Sequence, residues 1–302
     1  MTQEVYHIPA LLPEVIEGLD IRPYGIYVDA TLGGGGHSRA IVDHLDSGGH
    51  LYSFDQDRDA IDRAFADPRF TVVYSNFRYI SNFMRFYGVD GVDGVLADLG
   101  VSFHHFDDPE RGFSFRWEGR LDMRMNRNAR LDAAAVLGTY SEDKLADIFY
   151  LYGELKNSRR IASAIARRRQ ENPITTVEQL RAVVAPMINP RQEKKELAQI
   201  FQALRIEVNG EIDALKAFLG QSLKVLNPGG RLAVITYHSL EDRLVKNFMK
   251  TGNLEGHTEK DFFGRNLSPF RLITSRPIVP GDDEVERNPR SRSAKLRIAE
   301  KL

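Results

Sequence analysis

The chain has 302 residues, 42% of them hydrophobic, and its 41 basic and 42 acidic residues give a net charge of -1. A chain of this size can bury a core as one large domain or as one domain with an insertion. It contains no cysteine, which excludes disulfides, thiolate metal sites and cysteine nucleophiles and favours the reducing cytoplasm. No apolar run is long enough to span a membrane and no signal peptide is evident, so we expect no membrane partner.

Five strands are predicted from short runs of β-branched or apolar residues bounded by Gly and Asp. They cover residues 25–33, 50–57, 70–76, 92–100 and 230–238. Helix-like segments follow the first, second, third and fifth of these strands. Such alternation indicates a parallel sheet covered by helices on both faces.

The fourth predicted strand is followed by a long stretch with no good strand signal, up to Arg231. Much of that stretch has a helical pattern, which predicts a helical insertion between the fourth and fifth strands. Residues 196–226 are predicted to form one return helix that stops at Asn227-Pro228-Gly229-Gly230. Residues 270–278 and 293–302 predict two closing strands.

A run of four glycines lies in "YVDATLGGGGHSRAI" (27–41), between the first predicted strand and a predicted helix. Such a turn lets backbone N–H groups and a helix N-terminus approach a ligand closely. Gly33 and Gly35 fit the first two positions of the dinucleotide motif G-x-G-x-x-G, but Ser38 occupies the third. Taken alone, the motif also fits a purely structural turn.

Three carboxylates are predicted at the carboxyl ends of neighbouring strands, where open α/β sheets bind ligands. Asp29 precedes the glycines, Asp98 ends the fourth strand, and Asp55 lies about 20 residues after Gly33, the spacing of a ribose-binding acid. These carboxylates would repel a pyrophosphate and attract a cofactor with an α-amino group and a sulfonium cation. The pattern therefore favours S-adenosylmethionine over NAD.

Further motifs follow one another in unbroken order from about residue 6 to the C-terminus. They include "HIPALLPEVIEGL", "DLGVSFHHFDDPERGFSFRWEGRLDMRMN", "YGELKNSRRIASAI", "FQALRIEVNGEI", "LNPGGRLAVITYHSLEDRLVKNFM" and "NPRSRSAKLRIAEK". With the glycine loop they resemble the RsmH (MraW) family of bacterial small-subunit rRNA cytosine-N4 methyltransferases. Methyltransferases in general do not share "RGFSFR", "LDMRMN" and "HSLEDR", so the resemblance is specific.

The resemblance implies a class I S-adenosylmethionine-dependent methyltransferase, an α/β Rossmann-like fold with a mostly parallel sheet, a C-terminal antiparallel hairpin and an inserted all-helical domain. Residues 1–106 and 206–302 would form the cofactor-binding domain, and residues 107–205 the domain that recognises rRNA. The substrate would be the N4 amine of a P-site cytidine in 16S rRNA, presented by the small (30S) ribosomal subunit.

The family's cofactor contacts can be carried over residue by residue. With Gly33 from the loop, the expected contacts are Gly35, Gly36, His37, Asp55, Phe77, Asp98 and His105. His105 departs from the family pattern, which usually has Ser, a variable residue and Gln where this chain has Phe103, His104 and His105. A histidine can still donate one hydrogen bond to the cofactor.

Two residues are candidates for a catalytic role. Asp98 could accept a hydrogen bond from the target amine or orient the cofactor, or it could simply cap the turn at Gly100. His238 could contact the base or a phosphate, or it could be satisfied by the start of the following helix. The proline-rich motif of other amino-directed methyltransferases is absent, because the chain reads Asp98-Leu99-Gly100-Val101.

Basic residues cluster in two segments despite the balanced overall charge. The first segment mixes arginine with Phe and Trp, and the second is a helical run with no acid between residues 155 and 170. RNA-binding candidates from the two segments are Arg111, Arg116, Arg124, Arg159, Arg160, Arg167 and Arg168. The alternatives are that the aromatic rings belong to the core and that the charges form a solvated helix face.

No metal requirement is expected, because the densest histidine and acid group, residues 104–108, matches no recognised ligand spacing. A homodimer is neither indicated nor excluded by the sequence. Two other functions stay open at this stage. One is a nicotinamide-dependent oxidoreductase, and the other is a non-catalytic RNA-binding assembly factor that keeps a methyltransferase-like fold.

Overall fold

The computed structural model describes residues 9–101, 106, 108–264 and 266–302. The chain divides into two compact units, one formed by Met1–Gly100 with Ile212–Leu302 and the other by Val101–Glu211. The second unit is six residues longer at each end than the insertion predicted at 107–205. The division falls after the fourth strand of the sheet and before the second residue of a helix that begins at Glu211.

The first unit contains a seven-stranded sheet. Its strands are β1 (Ile26–Asp29), β2 (His50–Asp55), β3 (Phe70–Tyr74), β4 (Val92–Asp98), β5 (Leu226–Thr236), β6 (Phe270–Leu272) and β7 (Lys295–Lys301). The spatial order is β3-β2-β1-β4-β5-β7-β6, in which β1 to β5 run parallel and β7 runs antiparallel to both β5 and β6. The predicted α/β fold class is confirmed.

Helices cover both faces of this sheet. They are α1 (Leu12–Leu19), α2 (Gly36–Asp43), α3 (Arg58–Asp62), α4 (Ile80–Phe86), α10 (Glu211–Val225), α11 (Ser239–Thr251) and α12 (Asp282–Arg287). On one face, α1 and α2 pack Val15 and Ile41 against strand residues such as Leu96. On the other face, α4, α10 and α11 contribute a second apolar core that includes Phe218 and Phe248. Burial of apolar surface on both sides stabilises the parallel strands.

The parallel register brings the carboxyl ends of the central strands together. Asp29 at the end of β1 lies opposite Ser53 of β2 and Leu96 of β4. Gly94 of β4 makes room for the Tyr27 ring of β1, since a Cβ on Gly94 would lie only 2.8 Å from that ring. The residues that follow β1, β2, β4 and β5 therefore share one edge of the sheet, where the sequence predicts ligand binding.

The second unit is helical in its described residues. Its helices are α5 (Ala133–Thr139), α6 (Glu142–Leu151), α7 (Ser158–Glu171), α8 (Val177–Val184) and α9 (Glu193–Asn209). They share a separate apolar core that includes Leu121, Phe149 and Ile161. A capping box between Thr176 and Gln179 starts α8. In the part of the chain covered by the model, no helix has the length and apolar character needed to cross a membrane.

The single return helix predicted for residues 196–226 is wrong in one respect. The chain forms two helices, α9 and α10, because Gly210 adopts the left-handed conformation with φ 58° and ends the first. The helix α10 ends at Val225, just before the predicted stop, and Asn227-Pro228-Gly229-Gly230 lie in an irregular part of β5. Leu226 pairs with Val92, whereas the next paired residue, Arg231, pairs with Gly94. The intervening residues therefore bulge out of the ladder.

Candidate active site

The turn after β1 is held by the buried carboxylate of Asp29. Its Oδ1 accepts hydrogen bonds from the Thr31 backbone N–H (3.0 Å) and the Thr31 hydroxyl (3.3 Å). Its Oδ2 accepts from the Ser38 hydroxyl at 2.6 Å, and that hydroxyl lies 2.9 Å from the hydroxyl of Ser53. Burial raises the pKa of Asp29 to about 6, although the Ser38 hydrogen bond acts in the opposite direction.

This arrangement corrects the sequence interpretation of Asp29 and explains Ser38. Asp29 is completely buried, so it shapes the loop and does not belong to a ring of carboxylates that faces a cofactor. Ser38 occupies the third glycine position of the motif because its hydroxyl is needed by Asp29. A hydroxyl residue at a position that the motif gives to glycine could have indicated a hydrogen-bonding role for Ser38.

Glycine is required in the loop for two different structural reasons. Gly33 and Gly35 have φ 50° and 76°, a left-handed conformation that other residues rarely adopt. Gly36 begins α2, and a Cβ there would lie 2.9 Å from Cγ of Pro9. The loop backbone therefore approaches the segment before α1 at Gly36. The N–H groups of Gly33 and Gly35 donate within the protein, to Asp55 and to the carbonyl oxygen of Leu32, so a ligand would be met by the N–H groups at the start of α2.

Asp55 fixes the same loop from the end of β2. Its Oδ2 accepts the Gly33 N–H at 2.9 Å, and its Oδ1 accepts the Asp57 N–H at 2.8 Å. Burial raises the pKa of Asp55 to about 6, while these N–H groups lower it. A carboxylate has further lone pairs beyond these two bonds, so Asp55 can still accept hydrogen bonds from sugar hydroxyls.

Asp98 lies at the end of β4 with its side chain 17% exposed. Its backbone N–H donates to the Thr31 hydroxyl oxygen at 2.7 Å, and its Oδ1 accepts the Tyr237 hydroxyl at 2.8 Å. Burial, aided by the nearby Glu241 carboxylate, raises the pKa of Asp98 to about 7, and the Tyr237 hydrogen bond opposes this shift. Tyr237 directly follows β5, and nothing in the sequence alone pairs it with Asp98.

His37 lies in the first turn of α2 and is almost completely buried. Its Nε2 lies 3.0 Å from the carbonyl oxygen of Ala10, which accepts a hydrogen bond from the protonated nitrogen. Burial lowers the pKa of His37, so the ring is neutral near pH 7 and Nδ1 carries a lone pair. This Nδ1 lies 3.7 Å from Oδ2 of Asp98. The structure thus brings together two of the predicted site residues.

Three other predicted site residues have different surroundings. The His238 ring is 9% exposed, and its Nε2 lies 3.1 Å from Oε1 of Glu241 at the start of α11. Phe77 follows β3, and its ring packs edge-on against Phe218 at a centroid distance of 5.3 Å. His105 lies outside the described residues. Glu241, in the first turn of α11, is itself buried beside His238.

The polar groups at this edge are mainly acceptors. Asp55, Asp98 and Nδ1 of His37 can all accept hydrogen bonds, and the loop offers backbone N–H groups at the start of α2. These acceptors fit a ligand with ribose hydroxyls and a cationic amino group, which is the chemistry of S-adenosylmethionine. They suit a pyrophosphate poorly, because the carboxylates would repel it.

Comparisons with known proteins agree with this chemistry. The family model described as the MraW methylase family matches residues 4–302. The chain belongs to the MraW methylase family. The methylase is 62% identical to a protein of Phocaeicola vulgatus over 99% of this chain and 98% of the relative, and 63% identical to one of Parabacteroides distasonis over 98% of each. Both relatives are named ribosomal RNA small subunit methyltransferase H.

A solved structure of an rRNA methylase from Streptococcus thermophilus also matches. It is 13% identical to this methylase, covers 100% of this chain and 99% of its own, and has a TM-score of 0.39. A match of this strength does not bear on fold or function. The family assignment removes the alternative of a nicotinamide-dependent oxidoreductase.

Two of the predicted RNA-binding arginines have structural roles inside the second unit of the methylase. Arg111 is 2% exposed, and its guanidinium donates to the carbonyl oxygens of Arg124 (2.9 Å) and Met125 (3.2 Å). Arg124 pairs with both carboxylate oxygens of Asp122 and donates to the carbonyl oxygen of Ala129. Because these donors are already used, phosphate contacts by Arg111 and Arg124 are not supported.

The other predicted arginines lie at the surface of the second unit. Arg116 follows the buried Phe113, and Arg160 and Arg167 lie on α7 opposite its buried residues Ile161 and Ile165. Arg159 is also exposed, and Arg168 lies 3.6 Å from Glu171. The α7 arginines therefore form a basic helix face, whereas the interpretation of the aromatic rings as core holds for Phe113.

Replacing Asp98 should change how stability depends on pH. Its pKa is about 7 in the folded protein against an ordinary value of 3.8. The folded state thus binds more protons than the unfolded state between these values, so the free energy of unfolding falls as pH rises toward 7. Asp98→Asn should make this fall shallower and raise stability at pH 8 in urea denaturation. The exposed Asp90→Asn is the control, and equal slopes for wild type and Asp98→Asn would contradict the assignment.

Replacing Arg111 should destabilise the methylase far more than replacing Arg116. Arg111→Ala removes the guanidinium that donates to the carbonyl oxygens of Arg124 and Met125, which costs about 1–3 kcal/mol of unfolding free energy. Arg116→Ala changes an exposed side chain and should cost less than about 0.5 kcal/mol. Denaturant unfolding of the two variants measures the difference. Equal losses would show that Arg111 has no structural role.

Proposed function

We propose that this methylase transfers the methyl group of S-adenosylmethionine to the N4 amine of a P-site cytidine in 16S rRNA, within the small ribosomal subunit in the cytoplasm. The names of relatives more than 60% identical over almost the whole chain support methylation of small-subunit rRNA. The observation that carries the choice of an amine is the pair of acceptors, Asp98 Oδ2 and His37 Nδ1, at the strand ends beside the glycine loop.

The residues of this site have distinct proposed roles toward the cofactor. Bound S-adenosylmethionine supplies a methyl group on a sulfonium, whose positive charge is lost on transfer. Asp55 would accept hydrogen bonds from the ribose hydroxyls. The N–H group of Gly36 would hold the cofactor at the start of α2, because the Gly35 N–H already donates to the carbonyl oxygen of Leu32 at 2.7 Å. Phe77 would contribute an apolar surface after β3. His37 and Asp98 would accept hydrogen bonds from an amino group.

The target amine needs both positioning and a proton acceptor. The lone pair of the exocyclic nitrogen of cytosine is delocalised into the ring, so the nitrogen is a poor nucleophile, and alignment must supply much of the rate. When the bond from nitrogen to methyl forms, the nitrogen becomes positively charged and one of its protons must leave. Ionised Asp98 at the rim is the proposed acceptor of that proton. His238 is nearly buried beside Glu241, but neither ring nitrogen has a hydrogen-bond partner among the described residues, so a contact from this ring to the target base or a phosphate stays part of the proposal.

The basic face of α7 supports binding to RNA. Arg159, Arg160 and Arg167 are exposed on this helix, and cations on a helix face neutralise phosphates without reading sequence. Arg116 and Arg168 are proposed as further contacts. A target base in structured rRNA must be unpaired or turned out of its stack before its amine can reach a pocket, which favours a single-stranded target.

Labelled methyl transfer tests the proposed reaction directly. We expect tritium from labelled S-adenosylmethionine to enter small subunits taken from a strain that lacks the modification, and nucleoside analysis to show N4-methylated cytidine. Subunits that already carry the modification are the control and should accept little label. Label in another nucleoside would contradict the cytidine assignment, and binding without any transfer would support the non-catalytic assembly factor.

Reversing charge on α7 should weaken binding of the small subunit. The double variant Arg160→Glu and Arg167→Glu removes two proposed phosphate contacts, so affinity near 0.1 M salt should fall roughly tenfold or more and the slope of log affinity against log salt should decrease by about 2. Lys216→Glu, on an exposed helix position of the first unit, is a single charge-reversal control. Filter binding at several salt concentrations gives both quantities. An unchanged slope would remove α7 from the RNA-binding surface.

A further inference from the structure

Tyr237 is held in place between β5 and α11. Its backbone N–H donates to Oε2 of Glu241 at 3.1 Å, and its hydroxyl donates to Oδ1 of Asp98 at 2.8 Å. Its ring lies against Gly100, where a Cβ would be 3.2 Å from the ring. Gly100 has φ 114°, so the chain after β4 is shaped to admit the ring. The hydroxyl is therefore fixed in direction as well as in distance.

The Tyr237 hydroxyl remains a donor at any pH at which the protein is folded. Burial and the neighbouring Asp98 carboxylate raise the pKa of Tyr237 far above its ordinary value. In the part of the chain that the structure describes, this hydroxyl is the only donor to the carboxylate oxygens of Asp98. A hydrogen bond to an ionised carboxylate favours the ionised form, so Tyr237 acts against the burial that raises the pKa of Asp98.

The other titratable groups around Asp98 do not replace this effect. Glu241 of α11 and Asp29 of β1 are acids that disfavour a second negative charge nearby. His37 of α2 is neutral near pH 7 because burial lowers its pKa, and Nε2 rather than Nδ1 carries its proton. Glu284 of α12 lies close enough to act on Tyr237 and reinforces its protonated form.

The hydrogen bond also decides which oxygen of Asp98 is available. Oδ1 is occupied by Tyr237, whereas Oδ2 faces the lone pair of His37 Nδ1 at 3.7 Å. When Asp98 is ionised, these two acceptors have no proton to share between them. A ligand N–H group placed beside them would satisfy both, since an amino group has more than one hydrogen to donate.

We propose that Tyr237 is a positioning residue that favours the ionised form of Asp98 and turns Oδ2, together with His37 Nδ1, toward an amino group of the cofactor or of the target base. This inference rests on the proposed function, because it concerns the same carboxylate. It adds a residue whose hydroxyl touches neither reactant and acts through Asp98.

The variant Tyr237→Phe tests the proposal by removing the hydroxyl and keeping the ring. We measure the dissociation constant of S-adenosylmethionine by calorimetry from pH 5.5 to 9, and kcat at saturating cofactor over the same range. Loss of the hydroxyl should raise the pKa of Asp98. The pH below which cofactor binding or kcat falls to half should therefore move upward by roughly 1 unit or more. Function should recover at high pH, which a merely structural defect would not allow.

The two measurements distinguish the source of the amino group. A shift in the binding curve assigns the amino group to the cofactor, and a shift in kcat alone assigns it to the target base. The binding arm needs no rRNA, so it stands even if another nucleoside proves to be the substrate. The titration of the cofactor's own groups is the same for wild type and for every variant, so it cancels when their curves are compared.

Two further variants complete the design. Tyr140→Phe removes a similar tyrosine hydroxyl, which donates to Glu207 at 2.9 Å in the second unit, and should leave the cofactor-binding curve unchanged. Asp98→Asn should abolish the pH-dependent step both alone and combined with Tyr237→Phe. Identical binding and kcat profiles for wild type and Tyr237→Phe would overturn the proposal, as would a uniform loss of function at every pH.

Discussion

The buried carboxylate of Asp29 links the parts of the site to one another. It accepts hydrogen bonds from Thr31 and Ser38, which fixes the turn after β1 and the first turns of α2. The Thr31 hydroxyl in turn accepts the Asp98 N–H, so the same group connects β1 to the end of β4. Burying a carboxylate is costly unless several donors satisfy it, and Asp29 has three. The glycine loop therefore has a fixed shape before any ligand arrives.

Asp55 and Asp98 are hydrogen-bonded to the same loop, through Gly33 and Thr31, and the burial of each costs free energy, as that of Asp29 does. Burial raises the pKa of Asp29, Asp55 and Asp98, which means that the folded protein holds these carboxylates in surroundings less favourable than water. Carboxylates with raised pKa values often mark functional sites, where stability is given up for chemistry. Hydrogen bonds from Gly33 and Tyr237 limit the cost.

The sequence was most informative where local patterns determine structure. Strand periodicity predicted the mostly parallel sheet, because apolar runs and turn residues act locally. The break at Gly210 was missed because one glycine within an apolar helix pattern is compatible with either a continuous or a divided helix.

Contacts between residues distant in sequence could not be predicted in the same way. Arg111 looked like a phosphate ligand because nothing in a single sequence shows that its guanidinium turns inward to backbone carbonyls. The bond between Tyr237 and Asp98 joins residues 139 positions apart, so it depends on the pairing of β4 with β5. The acceptor pair of His37 and Asp98 likewise depends on burial and on a tautomer set by Ala10.

A crystal structure of the methylase with S-adenosylhomocysteine is the most direct test of the claim that a preformed loop presents Asp55 and Asp98 to the cofactor. The account predicts ribose hydroxyls at Asp55, the rest of the cofactor beside the end of β4 where Asp98 lies, and Asp29 still enclosed by Thr31 and Ser38. A complex in which Asp29 turns out to meet the ligand, or in which the loop rearranges and the adenosine lies away from Asp55, would contradict it.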